Sequence, residues 1–527
     1  MSARSTPPSR PRPSATKRAS ANAPKEPAKR ERAAVASTDP SQEFDLIVVG
    51  CGIAGLSAAV TAQQNGARVA VIERAIKEER GGNTRYTESY WRMSSRDEVS
   101  ADFEDQLARN SGGYPDPELI KETTRPYDEW PPLLKSLAIT DPELISTLAR
   151  EAPIALQWLE TFGVTFDFLP NYFINESTTR MAPVGGGLAL VEALATYAET
   201  VPGDINFFYE TTAKALIRGA DGAISGIAAV GKGNRRQEIR GQAVVLASGG
   251  FEGSPEMQSH YLGPQALYIR PVARGGHYNR GEGIRMALDA GGAPAGDYGS
   301  FHAQPVDPRS GEQEPVVLTY TYGILVNKLG RRFVDEAPAT VDASYESRTR
   351  IIMQQPEGLA YAIHDGGLDD VPNWQKSVRS RVPPLTADSV PDLAAQIGVD
   401  AEALIATIEA YNAACPDPAG FDPIHADGLA TQGLEPIKSN WARVLDRPPF
   451  RAWPIIAANC FTFGGIKVNT NAQVINMDGE VIPGLYAAGE VVGLYYRNYP
   501  GSTSVMRGAV TGRLAALDFT RRHNRAA

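Results

Sequence analysis

The sequence predicts an α/β protein built on a parallel sheet flanked by helices. Three observations carry this. A short β-branched run, Phe44-Asp45-Leu46-Ile47-Val48-Val49, ends in glycine and reads as a buried strand. Residues 54–65 follow with helical spacing, and Gly66 stands where a helix-ending glycine belongs. A second run, Arg68 to Ile72, is closed by Glu73. Strand, glycine turn, helix and strand within about thirty residues make a βαβ unit, the signature of a Rossmann-type sheet.

The turn itself, Gly50-Cys51-Gly52-Ile53-Ala54-Gly55, fits GxGxxG, with Glu73 placed 23 residues after Gly50. Such hexapeptides arise by chance; a strand before and a helix after make this one specific. Gly50 allows the tight turn, Gly52 the approach of backbone to a pyrophosphate, and Gly55 close packing of helix on strand. The helix N-terminus, where Ala54 lies, presents free N–H groups and partial positive charge to phosphates. Glu73, followed by Arg74, is expected to bind the adenosine ribose, and its carboxylate would repel a 2′-phosphate.

Composition bounds the rest. A chain of 527 residues is too long for one core, so two or three units are expected. Hydrophobic residues at 42% and charged residues at 21% are ordinary for a globular protein. No run approaches the eighteen apolar residues of a membrane-spanning helix. Cys51, Cys415 and Cys460 are far apart, with no CxxC. That argues against a disulfide framework, a bound metal or an iron–sulfur cluster, and for a reducing, cytoplasmic location. Residues 1–40 hold nine Lys/Arg against three acids, leaving about −15 on the remainder of a chain whose net charge is −9. Nucleic acid is therefore not an expected partner. Those first forty residues are rich in Pro, Ser, Ala and Arg and are expected to be a disordered basic tail. Prolines at 7, 8, 11, 13, 24 and 27 oppose a transit-peptide helix.

Farther on, residues 117–163 read as helical, with Trp158 and Phe162 on one face. Residues 205–209, 224–230 and 243–247 read as strands, 303–460 as more irregular, and 462–522 as a compact unit with strands, glycine turns and a final helix.

The segment Ile482-Pro483-Gly484-Leu485-Tyr486-Ala487-Ala488-Gly489-Glu490 reads as a strand ending in Gly-Glu, the second nucleotide-contacting segment of FAD folds. Together with RGGNTRYT (80–87), VGGGLALVEAL (184–194), VVLASGGFEG (244–253), LVNKLGRRFVDE (325–336) and FTFGGIKVNT (461–470), it resembles the flavoprotein family of fumarate reductases, succinate dehydrogenases and aspartate oxidases. Within that family the tricarballylate dehydrogenases are the nearest in motif. The resemblance spans nearly all of 44–522 and excludes the tail.

It implies an FAD-binding domain from 41–301 and 462–527, and an inserted α+β capping domain, 302–461, that closes over the flavin. Gly81, Gly82 and Asn83, with Thr84, match the loop against the flavin ring. Ala247, Gly249 and Gly250 match the strand end under the nucleotide, and Gly489 and Glu490 the ribityl or ribose contacts. Ser502, Ser504 and Val505 would open the final helix beneath the ring, where its positive end stabilises a reduced flavin. Relatives with covalent FAD use a histidine near 80–93; none occurs here, so non-covalent FAD is expected.

The implied chemistry passes a hydride between a substrate carbon and flavin N5 while a proton moves at the adjacent carbon, next to a carboxylate or carbonyl. His302 aligns with a substrate-carboxylate histidine and Glu336 with a lid carboxylate. Three family residues are missing. His364–Asp369 contains no arginine, Phe461 stands where a histidine precedes Thr462, and Tyr499 replaces a clamping arginine. Fumarate reduction by the usual residues is therefore not expected. Tyr499 is similar to a proton-transferring tyrosine of ketosteroid dehydrogenases. Arg497 or Arg507 could stabilise its phenolate, or Arg497 could clamp a carboxylate bidentately. Arg85 and Arg92 are further anion candidates.

The expected activity is thus tricarballylate-dehydrogenase-like. The alternatives are an enone or ketosteroid-type enzyme using Tyr499, and an electron relay whose dehydrogenase chemistry has lapsed. Converging arginines would favour a polycarboxylate, aromatics alone an enone. Without haem or cluster motifs, electrons must be exchanged with an external acceptor, such as the membrane redox partner the resemblance implies.

Overall fold

The computed structural model describes residues 44–108, 116–168, 173–175, 179–200 and 204–526. The expected basic tail lies outside the described residues.

The βαβ unit forms as β1 (Phe44–Val49), α1 (Ile53–Gln64) and β2 (Val69–Ile72). Its strands are parallel, with Leu46 opposite Val69 and Val49 opposite Ile72. Gly66 follows the C-cap at φ +88°, a left-handed position that costs glycine little. There follow α2 (Pro142–Glu160), α3 (Gly186–Thr200), β3 (Ile205–Phe208), β4 (Thr212–Arg218), β5 (Ile224–Gly231) and β6 (Arg235–Leu246). Next come β7 (Phe301–Val306), β8 (Ile324–Asn327), α4 (Val341–Met353), β9 (Leu359–His364), β10 (Leu385–Ala387), α5 (Val390–Ile397), α6 (Ala401–Ala414) and β11 (Phe450–Thr462). The chain ends with β12 (Gln473–Ile475), β13 (Val481–Ala487) and α7 (Ser504–Ala526).

The first sheet has eight strands, in the order β12-β13-β6-β1-β2-β3, with β5 on β6 and β4 on β5. Its centre is parallel: β1 pairs with β2 and β6, β6 with β13, and β2 with β3. β6 serves twice, its first half in the antiparallel β4–β5 ribbon and its second half beside β1. Buried α1 lies between this sheet and α7, which approaches so closely that a Cβ on Gly512 would sit 2.2 Å from Ala54 O.

Residues 303–460 are less irregular than the sequence suggested. A second, six-stranded sheet runs β7-β11-β9-β8, with β10 and the two-residue strand Arg270–Pro271 both on β11. Except at that last strand it is antiparallel. The span 117–163 holds three α-helices, Pro117–Glu122, Pro132–Ser136 and α2. Each starts at a proline, whose missing N–H is not needed in the first turn. Trp158 and Phe162 do share a face, with ring centroids 4.9 Å apart.

Candidate active site

One long cavity starts at the βαβ turn and ends where β7 and β11 pair. At its first end Gly50 has φ +111°, and a Cβ there would meet Ala247 O at 2.3 Å. A Cβ on Gly55 would meet Gly50 O at 2.0 Å. Gly52, the N-cap of α1, has no side-chain cap, and both it and Ala54 line the cavity. Glu73 accepts the Cys51 N–H (3.0 Å) and the Ala75 N–H (2.8 Å), and burial raises its carboxyl pKa. Arg74 lines the same end and donates to Tyr278 O and Glu282.

In the middle, Gly81, Gly82, Asn83 and Thr84 form a wall around the short turn Gly82–Tyr86. Thr84 Oγ1 accepts the Ile53 N–H at 3.2 Å, tying this turn to the start of α1. Ala247, Gly249 and Glu490 line the opposite side, as do Ser502, Ser504 and Val505 at the start of α7. Gly489 is not part of the wall. With φ +70°, it packs its backbone over Ala54 and so positions Glu490.

At the far end β7 brings in His302 and Gln304, β11 brings Phe461, α4 brings Tyr345, and the loop before α7 brings Tyr499. The His302 ring lies 4.5 Å from that of Tyr499 and 5.2 Å from that of Phe461. His302 Nε2 is 2.7 Å from the Tyr345 hydroxyl. Burial, assisted by Arg350, pulls the imidazole pKa down to about 3, so the ring is neutral at pH 7. The Tyr499 hydroxyl accepts the N–H groups of Thr503 (2.8 Å) and Ser504 (3.0 Å) and lies 3.1 Å from Ser504 Oγ.

Residues 45–505 match the family model described as FAD binding domain. The chain belongs to that family. Among known flavoproteins it is similar to a fumarate reductase (cytochrome) of Shewanella frigidimarina, 28% identical over 92% of this chain and 79% of that one. It is also similar to a 4-oxocyclohexanecarboxylate 2-dehydrogenase of Sinomonas cyclohexanicum, 26% identical over 91% and 92% of the two chains. The fold matches a 3-ketosteroid-Δ4-(5α)-dehydrogenase structure from Rhodococcus jostii, with TM-score 0.63 and 24% identity over 93% of this chain and 99% of that one. This flavoprotein is an FAD-dependent oxidoreductase acting on carbon–carbon single or double bonds.

The cavity fits FAD. Ser248 Oγ and Asn83 Oδ1 are buried without a partner in the chain, and both residues line the wall. Such orphaned groups fit a ligand rich in hydroxyls and ring nitrogens. Gly52 and Ala54 would hold the pyrophosphate, Glu73 the ribose and Glu490 the ribityl chain. Among the described residues, no helix is long and apolar enough to cross a membrane, and no group of His, Cys, Asp and Glu is placed to hold a metal ion.

Several catalytic expectations are corrected. Glu336 is fully buried outside the cavity, where Arg332 holds both its oxygens (2.9 and 2.6 Å) and the Leu325 N–H reaches one of them. It is a structural ion pair. Arg497 is exposed and outside the wall, and only its backbone oxygen is engaged, by Arg350. Arg85 pairs with Glu192, and Arg92 pairs with Asp102 while donating to Pro500 O, bracing the Tyr499 loop. Sequence reading missed Tyr345, Gln304, Glu314 and Arg180, which also line the far end. No local motif marks them.

Behind the flavin site Glu252 is fully buried. Its Oε1 accepts from Asn83 Nδ2 and from Asn279 Nδ2 (2.6 Å), while its Oε2 has no donor. Burial, then Glu490, raises its pKa well above the usual range, and burial raises that of Glu490 as well. A carboxyl whose folded pKa is raised stabilises fully below the unfolded value, and that stability is lost as pH rises toward the folded one. Glu252→Gln keeps a donor without titrating. Compared with the parent by thermal melting, its relative stability is expected to rise with pH above the ordinary carboxyl range, by up to about 1.4 kcal/mol per pH unit, until the raised folded pKa is passed. Parallel curves would show that no proton is held there.

Proposed function

We propose that this flavoprotein oxidises or reduces the carbon–carbon bond beside the carbonyl of a ring ketone, rather than a polycarboxylate. The observation that carries this is the charge balance of the cavity's far half. Arg180 lines it but is paired with Asp342 at 2.5 Å. Arg507 lines it but donates to Val492 O and lies 4.7 Å over the Tyr495 ring. Glu88 and Glu314 add negative charge to the same wall. Tricarballylate would bring three carboxylates to a wall where Arg180 is already paired with an acid and Arg507 is the one arginine without a carboxylate partner among the described residues. Five aromatic residues, Tyr90, Phe173, Tyr345, Phe461 and Tyr499, line the same half beside neutral His302 and Gln304. The relative that acts on 4-oxocyclohexanecarboxylate supports a ring ketone.

When bound, FAD supplies the hydride acceptor or donor. Tyr499 is assigned to the carbonyl oxygen. Negative charge developing there is met by the two N–H groups at the positive end of α7, where the sequence suggested Arg497 or Arg507. Tyr345 is assigned to the proton at the adjacent carbon. Neutral His302 is its hydrogen-bond partner at Nε2, orienting the hydroxyl, and is too weak a base to serve as a cationic carboxylate clamp. Residues 302–461 act as the cap that excludes water.

The test is an anaerobic stopped-flow panel of cyclic ketones, enones, and di- and tricarboxylates, read at the flavin absorbance. Bleaching by a cyclohexanone and not by tricarballylate is expected; the reverse would overturn the reading. Acid precipitation is expected to release the flavin into the supernatant, since residues 80–93 offer no histidine for a covalent link. Yellow colour in the pellet would show a bond.

A further inference from the structure

The far end of the cavity holds more hydrogen-bonding capacity than a bare ring ketone would use. Gln304 follows His302 by two residues on β7, and both face the cavity. That spacing places its side chain about 6 Å along the strand from His302. Gln304 is only 5% exposed, and its Oε1 has no partner. A buried carbonyl oxygen left unpaired costs on the order of 1–3 kcal/mol, so this one waits for a donor from the ligand.

Glu314 stands on the same wall, 7% exposed. Arg379 holds its Oε2 at 3.0 Å and Glu88 at 2.8 Å. Burial, partly offset by Arg379, raises its pKa to about 7, so near neutrality it can accept or donate one hydrogen bond.

These charges do not call for an anion here. Asp342 holds Arg180, and Glu88 and Glu314 share Arg379. A substrate carboxylate would have to compete with these acids for the same two arginines. A neutral donor would not.

We propose, building on the ring-ketone reading above, that the substrate carries a hydroxyl at its far end, across the ring from the reacting carbonyl, received by Gln304 and Glu314. The enzyme would then read both ends of a small ring: the carbonyl at Tyr499 and the hydroxyl at Gln304. A site built to bind a hydroxyl discriminates strongly against the analogue that lacks it, because its own polar groups are then left unpaired.

The experiment mixes the FAD-loaded full chain with cyclohexanone, 4-hydroxycyclohexanone or 4-oxocyclohexanecarboxylate. It reads the dissociation constant from the perturbation of flavin absorbance that precedes any reduction. The hydroxy ketone is expected to bind about ten-fold tighter than cyclohexanone or better, with the carboxylate weakest. In Gln304→Leu, or Gln304→Met if that variant retains more FAD, the preference for the hydroxyl should shrink to less than about two-fold. Equal binding of the first two compounds, a preference that survives loss of Gln304, or tightest binding by the carboxylate would each overturn the proposal and leave the ketone reading standing. Silence from all three would bring down that reading and this one together.

Discussion

Tyr345→Phe is expected to slow flavin reduction by the ketone substrate by ~10²-fold or more, with FAD content unchanged. The hydroxyl removed is the one held 2.7 Å from His302 Nε2, in the cavity half opposite the nucleotide. Two further measurements separate proton transfer from mere packing. His302→Ala should cost nearly as much alone as in combination with Tyr345→Phe, because residues acting as one unit are not additive. The rate profile of the parent should show no step from His302 between pH 5 and 9, since its pKa is pulled to about 3. Tyr499→Phe makes the contrast. It also should slow reduction, but it strips the acceptor from the Thr503 and Ser504 N–H groups. It should therefore lower the melting temperature as well, through a loss of about 1–2 kcal/mol. A Tyr345→Phe enzyme that reduces its flavin at the parental rate would remove Tyr345 from the reaction.

What could be read from the sequence was what the local chain dictates. The βαβ unit was legible because β-branched runs and glycines at fixed offsets allow little else, and α1 begins and ends within one residue of its expected bounds. The helical character of 117–163 was legible, but its division was not: Pro117, Pro132 and Pro142 each open a helix, whereas Pro153 lies inside one, so proline alone does not give the boundaries. Glu336 shows a different limit. A motif names a residue type, but the direction of its side chain depends on who competes for it, and Arg332, four residues earlier, takes both oxygens. Tyr345 was invisible for the converse reason. It sits in α4, 43 residues from His302, in no recognisable pattern, and only the packing of α4 against β7 brings the pair together. Tyr499 lay between these cases: the loop was legible, but the group that polarises its hydroxyl is the backbone of α7, and no side chain announces it.

Gly187→Ala is expected to leave the protein largely colourless. Gly187 is the second residue of α3, within the VGGGL segment. An ideal Cβ there would lie 1.8 Å from Thr84 O and 2.6 Å from Ser89 Oγ. The backbone φ at Gly187 is one any residue adopts, so lost space alone decides the outcome. A side chain could swing aside, but Thr84 O is main chain, part of the Gly82–Tyr86 turn that forms the middle of the cavity wall. The same residue accepts the Ile53 N–H through its side chain. Displacing Thr84 therefore disturbs the Gly82–Tyr86 turn and the start of α1, both on the cavity wall, in one movement. Overpacking of this kind costs about 1–3 kcal/mol, and if it falls on the FAD-bound state it weakens binding by roughly 10- to 10²-fold. The ratio of flavin to protein absorbance after purification, and titration of the apoprotein with FAD, would measure it. Leu188→Ala, one residue on and 41% exposed, should stay yellow. A Gly187→Ala protein that binds FAD as tightly as its parent would mean that α3 does not back the flavin loop, and the cavity would then need another explanation for its shape.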